Sequence, residues 1–433
     1  MPDARAAAAA IWRAALAAGD VAPLLRRHLR LTEQTLTAGP LTLDLSRVHR
    51  VLVLGAGKAG ASMARAVEAE LGERVDAGFV VVKDGYRLPT ARIEIAEAGH
   101  PVPDARGLAA SARLLELAGT ATADDLVIFL VSGGGSALTP APAPPITLEE
   151  KQTVTRLLLA AGATINELNA VRKHLSRFKG GLLARAASPA MVLTLALSDV
   201  IGDPLDVIAS GPTAPDPTTY AEALTVLERR GVAERAPASV LARLRAGVRG
   251  EVPETPKLGD RIFERVTNLI IGNNTLVVDA AAAEAERLGF RPQVLTRSLQ
   301  GEAREVARSL LARARALPPP ACLIAGGETT VTVQGGGRGG RCQEFALAAA
   351  LQLDASERLV VLAAGTDGTD GPTDATGGLV DAGTAARARA AGLDAARALA
   401  DNDAHTLLTA AGDSIVTGPT HTNLLDLYLI LRS

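Results

Sequence analysis

The sequence predicts an α/β protein in which parallel sheet layers carry helices on their faces. Short β-branched or apolar runs that end in glycine or polar turns mark buried strands. Helical patterns fall between many of them, and strands alternating with helices favour parallel pairing. Several of the runs also end in glycine clusters, the place where parallel sheets bind ligands.

The strand expectations, in chain order, are 51–57, 78–85, 125–135, 190–199, 268–274, 292–296, 321–333, 358–368, 413–418 and 424–432. Helices are expected over 60–71, 105–117, 147–163, 274–288, 301–316 and 384–399. Thr147 and Glu150 have capping-box spacing at the start of the third. The Pro-rich, charged stretch 248–260 has little apolar content and reads as a linker. It divides the chain into domains at 1–250 and 258–433, with the last strand free to return to the first domain. The shorter 139–146 stretch is also Pro-rich and reads as a stiff loop.

At 433 residues the chain is long enough for two or three domains. Its 48% hydrophobic and 21% charged composition is that of a globular protein. A net charge of −2 gives no general attraction to nucleic acid or anionic membrane. No apolar run reaches about 18 residues, so no transmembrane helix is expected. The Ala-rich start carries Asp3, Arg5 and Arg13 and reads as a helix of the mature chain rather than a signal peptide. Cys322 and Cys342 are the only cysteines, too few for a disulfide framework or a Cys-type zinc site. A cytoplasmic location fits.

Lysine is scarce: six residues against 39 arginines. Lys58, Lys83, Lys173 and Lys179 lie in loops or motif-like stretches, places where a planar arginine fork does not substitute for a compact ammonium. Lys151 and Lys257 read as solvated surface.

The glycine-rich stretches carry the chemistry. Gly55-Ala-Gly57-Lys58-Ala-Gly60 follows a strand, precedes a helix and has dinucleotide-fingerprint spacing. The acid expected about 20 residues later is poorly represented by Asp84, which is late and sits beside Lys83. Lys58 places a positive charge where phosphate oxygens would lie; an NAD site and a tight strand–helix turn without a ligand are the alternatives. Ser132-Gly133-Gly134-Gly135-Ser136 is a natural nest for a phosphate or carboxylate. Lys179 precedes a glycine pair in a basic stretch, which suggests a ligand contact, whereas Arg177 reads as solvated. Ser198 and Asp199 open a turn after a buried strand, with turn chemistry as the alternative. Gly327 and Glu328 end another strand. A later glycine run leads to Arg341 and Glu344 at a helix start, where an arginine could clamp an anion. Asp367, Asp370 and Asp374 share a loop that could hold Mg²⁺ with phosphates and water, or could be a series of Asp-Gly turns. Thr420, His421 and Asn423 form a hydroxyl-rich turn. There is no Walker A motif, Gly-x-Ser-x-Gly elbow or HExxH pattern.

Together, the segments GAGKAG, GHPVPD, VSGGGSAL, NAVRKHLSRFKGG, LSDVIGDPLDVIASGPT, GGETTVTV, GGRCQEFAL, GTDGTDGPTDATGG and GPTHTN resemble the MOFRL-type (class II) glycerate 2-kinases. They run in that family's order over nearly the whole chain. Cys342 stands where the family usually has Asn, and His421 where Gly is common; neither change removes a charge. The resemblance implies a Rossmann-like parallel-sheet N-terminal domain and a smaller α/β C-terminal domain, with the active site in the cleft. It implies ATP, Mg²⁺ or another divalent cation, and D-glycerate phosphorylated to 2-phosphoglycerate. It assigns catalysis to Lys58 and Arg341. The expected substrate and phosphate contacts are Gly55, Gly57, Ser132, Gly133, Gly134, Gly135, Ser136, Lys179, Ser198, Asp199, Gly327, Glu328, Glu344, Thr420 and Asn423. Asp367 and Asp370 are the expected metal ligands. The partners are then small molecules, with no nucleic acid or membrane, and the chain is a monomer or homodimer. An NAD(P)H-dependent hydroxypyruvate reductase is the main rival; a non-enzymatic sugar-phosphate sensor is another.

Overall fold

The computed structural model describes residues 3–433, which divide into two compact units. One is continuous, Val21–Ile271. The other joins residues 3–20 to Gly272–Ser433.

The continuous unit holds a six-stranded sheet. Its order across the sheet is Ile93–Ala98, Val75–Lys83, Val51–Ala56, Leu126–Val131, Met191–Leu197 and Val266–Gly272. The first five are paired in parallel. In chain order this is 3-2-1-4-5-6, the doubly wound arrangement whose order reverses between the first and fourth strands. Those two central strands, Val51–Ala56 and Leu126–Val131, are buried at every position, which is why they read as unbroken apolar runs. The helix Leu148–Ala160 begins with a complete Thr147/Glu150 capping box, and Ile165–His174 and Tyr220–Arg229 begin the same way.

The second unit also has a six-stranded sheet, but a mixed one. The last strand, Asp426–Arg432, runs antiparallel between Ala321–Gly327 and Leu359–Gly365. Its starting residue, Asp426, therefore lies level with Gly327 on one side and Gly365 on the other. This reversal brings the ends of two strands and the beginning of a third to one sheet edge.

The domain boundary differs from the expected one. The 248–260 stretch is tied to the continuous unit: the Thr255 hydroxyl donates to Asp216 at 2.8 Å, and the Asp216 amide donates to the Pro256 carbonyl at 2.9 Å. Composition suggested a linker, but these polar contacts hold it down, and the chain contributes one more strand before crossing at 271–272. The last strand stays in the second unit. The N-terminal helix Ala4–Ala18 instead joins that unit, burying Ile11 and Trp12. Arg5 pairs there with Asp381 and, at 2.7 Å, with Asp413. Among the described residues no single helix is long and apolar enough to cross a membrane.

Several elements were not visible in the sequence. Ile93–Ala98 is a glutamate-bearing edge strand with partial exposure. The strands Leu29–Thr32, Thr35–Ala38 and Leu41–Asp44, each four residues long, form a separate three-stranded antiparallel sheet. The expected 384–399 helix is two, Thr384–Ala390 and Ala395–Ala400, broken at Gly392 with φ +80°.

Candidate active site

In the continuous unit, the two glycine loops at the sheet's reversal point pack against each other. The Gly57 amide donates to the Val81 carbonyl at 3.0 Å, Lys58 N to Gly133 O at 2.9 Å, and Ala59 N to the Ser132 hydroxyl at 3.0 Å. The amides that would greet a dinucleotide pyrophosphate are thus used within the fold. The glycines are there for close approach. Gly57 has φ +141°, and a Cβ on it would lie 2.2 Å from Ser132 Oγ. Gly57→Ala is expected to cost about 2 kcal/mol of stability through strain and overpacking. A thermal midpoint equal to the parent's would show that the two loops have slack. Ser132, expected at the ligand, is buried and holds Ala59 instead.

Gly133 and Gly134 differ from the first loop: among the described residues their amides have no intramolecular acceptor. Gly134 has φ +85°, and its Cβ position lies 3.0 Å from His100 and 3.4 Å from Lys58 Cγ. The half-buried Lys58 and His100 therefore converge on the middle of the Ser-Gly-Gly-Gly-Ser loop. Gly135 packs against Ala209 and the Ala56 carbonyl, and Gly55 against the Leu130 carbonyl. Both serve packing.

Ser136 leads into a polar chain. Lys179 Nζ donates to Ser136 O at 2.7 Å and Oγ at 3.0 Å; Ser136 Oγ meets Ser210 Oγ at 2.9 Å, and Ser210 donates to Asn169 Oδ1 at 3.1 Å. Burial pushes the Lys179 ammonium well below its usual range, and nearby Lys151 and Arg172 add to the effect. Lys151 is not solvated surface, as its sequence context suggested. It is 6% exposed, donates to the Pro140 carbonyl, and is pushed down to about 7 by burial, then by Arg172 and Arg243. The signal was present: Lys151 shares the buried face of its helix with Leu148, Val154 and Leu158, at helical spacing. Ser198 is buried and braces its own turn through Val200, while Asp199 is half-buried at the strand end.

In the second unit, Arg341 begins the helix Arg341–Ala350. It grips Asp426 with two bonds, Nε to Oδ2 at 2.6 Å and Nη2 to Oδ1 at 2.9 Å, and its Nη1 meets Glu328 at 2.6 Å. Burial opposes the guanidinium charge, but Asp426 outweighs it and raises the pKa. Asp426 is fully buried and also accepts from Tyr428 OH at 3.0 Å. Sequence reasoning missed Asp426; the only sign was one acid at the start of a final strand that stays uncharged until Arg432. Gly327, with φ +148°, has no room for a Cβ beside the Leu299 backbone, so it too is a close-approach residue.

The acidic loop divides its roles. Asp370 is buried and caps the Arg341 helix: Oδ1 accepts from Cys342 N at 3.1 Å, and Oδ2 from Gln343 N at 2.8 Å and Gln343 Nε2 at 3.0 Å. Both oxygens are committed to orphan amides at a helix start, so Asp370 is a cap rather than the open metal ligand expected. Asp367 accepts from the Thr369 amide at 3.1 Å, and its carboxylate and that of Asp426 both face Gly365. Asp374 is exposed beside His405. Among the described residues no group of three or more metal-ligating side chains could hold an ion.

Burial raises the Asp370 carboxyl from its ordinary 3.8 to about 6, with the Gln343 and Cys342 amides offsetting part of it. Between those values the folded chain keeps a proton that the unfolded chain has released. Stability from this group therefore falls as pH rises through that window. Asp370→Asn removes the titration. In thermal melts its midpoint is expected to gain on the parent's between about pH 4 and pH 6; a constant difference would count against the cap.

Glu344 does not point to a ligand. It is buried and holds Arg304 at 2.6 Å and Asn402 at 3.0 Å. Asn402 in turn accepts from the Gln334 and Gly335 amides, so Glu344 steadies the glycine run before Arg341. The Thr420 hydroxyl donates to the Thr366 carbonyl, closing the turn, and Asn423 is buried behind it.

Residues 7–245 match a family model described as a domain of unknown function (DUF4147), and residues 321–426 match the MOFRL family. The chain is 44% identical to a D-glycerate 2-kinase of Thermotoga maritima, over 90% of this chain and 92% of that protein. It is also 44% identical to an Agrobacterium vitis protein provisionally named a hydroxypyruvate reductase, over 88% and 87% of the two chains. Among solved structures it is similar to a glycerate kinase from Thermotoga maritima, with a TM-score of 0.83, 41% identity and 99% of each chain covered.

Proposed function

The chain belongs to the MOFRL-type glycerate 2-kinases, and from that premise we propose that it transfers the ATP γ-phosphoryl group to the 2-hydroxyl of D-glycerate. The products are 2-phosphoglycerate and ADP. The geometric observation that carries the reading is the convergence of Lys58 and His100 on Gly134, beside a fingerprint loop whose amides are already used. That loop offers a dinucleotide pyrophosphate little, whereas a lysine at the sheet's reversal point suits phosphoryl transfer.

Phosphoryl transfer depends on positioning and charge neutralisation more than on covalent chemistry. We assign Lys58 to the transferring phosphoryl group and a catalytic role to Arg341. Asp426 orients the Arg341 fork, and the half-buried Glu328 is the partner that an incoming phosphate would replace. The Gly133 and Gly134 amides offer donors to an anionic oxygen. Asp199 is the candidate to take the hydroxyl proton.

Mg²⁺ is the expected companion of ATP. Asp367 fits it as a hard oxygen donor, with phosphates and water completing the shell, whereas Asp370 does not. When bound, the ion would neutralise phosphate charge.

Two incubations test the function. D-Glycerate with ATP and Mg²⁺ is expected to release ADP, and phosphorus NMR is expected to identify 2-phosphoglycerate. Hydroxypyruvate with NADH is expected to leave NADH unoxidised. NADH oxidation without ADP formation in the first incubation would replace this reading with the reductase named for the Agrobacterium vitis relative.

A further inference from the structure

A cavity of about 470 Å³ opens beside the Gly134 loop, wholly within the continuous unit. Its walls include Pro101, Val102, Pro103, Pro140, Leu148 and Leu159. Lys151, Arg172 and Lys179 also line it. We propose that this cavity seats the adenine nucleotide, with its phosphates on the three cations and its base against the apolar wall. The inference rests on the kinase reading and deepens it by naming which substrate the pocket takes.

Charge is the first argument. Among the described residues, no carboxylate forms an ion pair with Lys151, Arg172 or Lys179. Lys151 and Lys179 are buried and donate only to the Pro140 and Ser136 oxygens. Among the described residues Arg172 makes no hydrogen bond or ion pair. By contrast, neighbouring Lys173 is compensated by Asp206 at 3.1 Å and Asp216 at 3.2 Å. Cations withdrawn from water without a counter-charge are costly, and an anionic ligand removes that cost.

Size and polarity are the second argument. Pockets of several hundred Å³ with apolar walls and a few convergent polar groups suit ligands larger than a three-carbon acid. Glycerate and inorganic phosphate have no apolar body to lay against prolines and leucines. A nucleotide joins both characters, a flat base and a chain of phosphates.

Continuity is the third argument. Gly134, His100 and Ser136 line the cavity, and Gly134 packs beside Lys58. A nucleotide held here has its phosphate end next to the lysine assigned to the transferring group. An unrelated effector would not need that adjacency.

Calorimetric titration of the full chain with ATP, ADP and inorganic tripolyphosphate, all with Mg²⁺, tests the assignment. Arg172→Ala and Lys151→Met are expected to weaken ATP and tripolyphosphate by about tenfold or more, the loss of one charged contact. Leu159→Ser, a neutral change at a side chain 55% exposed and so tolerant of change, is expected to weaken ATP and ADP by about fivefold through lost apolar contact. It should leave tripolyphosphate nearly unchanged. The KM for D-glycerate is expected to stay within about twofold in all three variants. A raised glycerate KM with unchanged ATP binding would make the cavity the acceptor site, and unchanged binding of every probe would remove it from catalysis; either result overturns the proposal. Should Lys151→Met fail to fold, Arg172→Ala and Leu159→Ser decide. If the parent chain bound ATP here yet made no ADP with glycerate, the kinase reading would fall while the nucleotide site stood.

Discussion

Replacing Lys58 by alanine is expected to lower kcat by about 100-fold or more, comparable to the loss of one preorganised electrostatic donor. The fold should survive, because the position is held by its backbone. Lys58 N bonds to Gly133 O, and the flanking Gly57 and Ala59 amides have their own partners. The side chain extends toward Gly134 and His100, where its loss leaves charge on the phosphoryl group uncompensated. Lys58→Arg is expected to restore little, since a planar fork does not match a compact ammonium beside two packed loops. The measurement is kcat at saturating ATP and glycerate, with a thermal melt as control. Near-normal turnover in a folded Lys58→Ala protein would remove Lys58 from the chemistry.

The second large effect is expected at Asp426. Asp426→Asn keeps the shape but loses the charge that faces Arg341 through two bonds. A half-buried guanidinium that loses its main partner but keeps Glu328 costs about 1–2 kcal/mol. Turnover should fall by about tenfold as the fork loses its fixed orientation, while the ATP KM changes little. A stability loss with kcat intact would make Asp426 a structural partner only, and Arg341 would then lose its claim to be positioned by it.

Much of this chain was legible because buried parallel strands announce themselves. Val51–Ala56 and Leu126–Val131 are apolar throughout, and their terminal glycines mark the reversal of sheet order. Lys58 and Arg341 stood out by motif and charge. The metal expectation at Asp370 had no such support: a carboxylate beside a glycine reads the same in sequence whether it caps a distant helix or faces solvent. Glu344 is a similar case. Its neighbours Arg304 and Asn402 are each dozens of residues away, so nothing local shows that it braces a loop.

The α/β class, the glycine-rich strand ends and the family are all readable in the chain, because strand burial, turn chemistry and motif spacing are local properties. How those glycines are used emerges from the folded molecule. The first loop packs its amides inward, the second leaves Gly133 and Gly134 facing Lys58, and the third packs tightly against the Leu299 backbone. The tertiary fold also decided that Lys151 is buried beside Arg172 and Lys179, and that Asp426 aligns with both Gly327 and Gly365. The reason is physical: a hydrogen bond or ion pair between residues far apart in the chain depends on strand order and register, which no local pattern encodes.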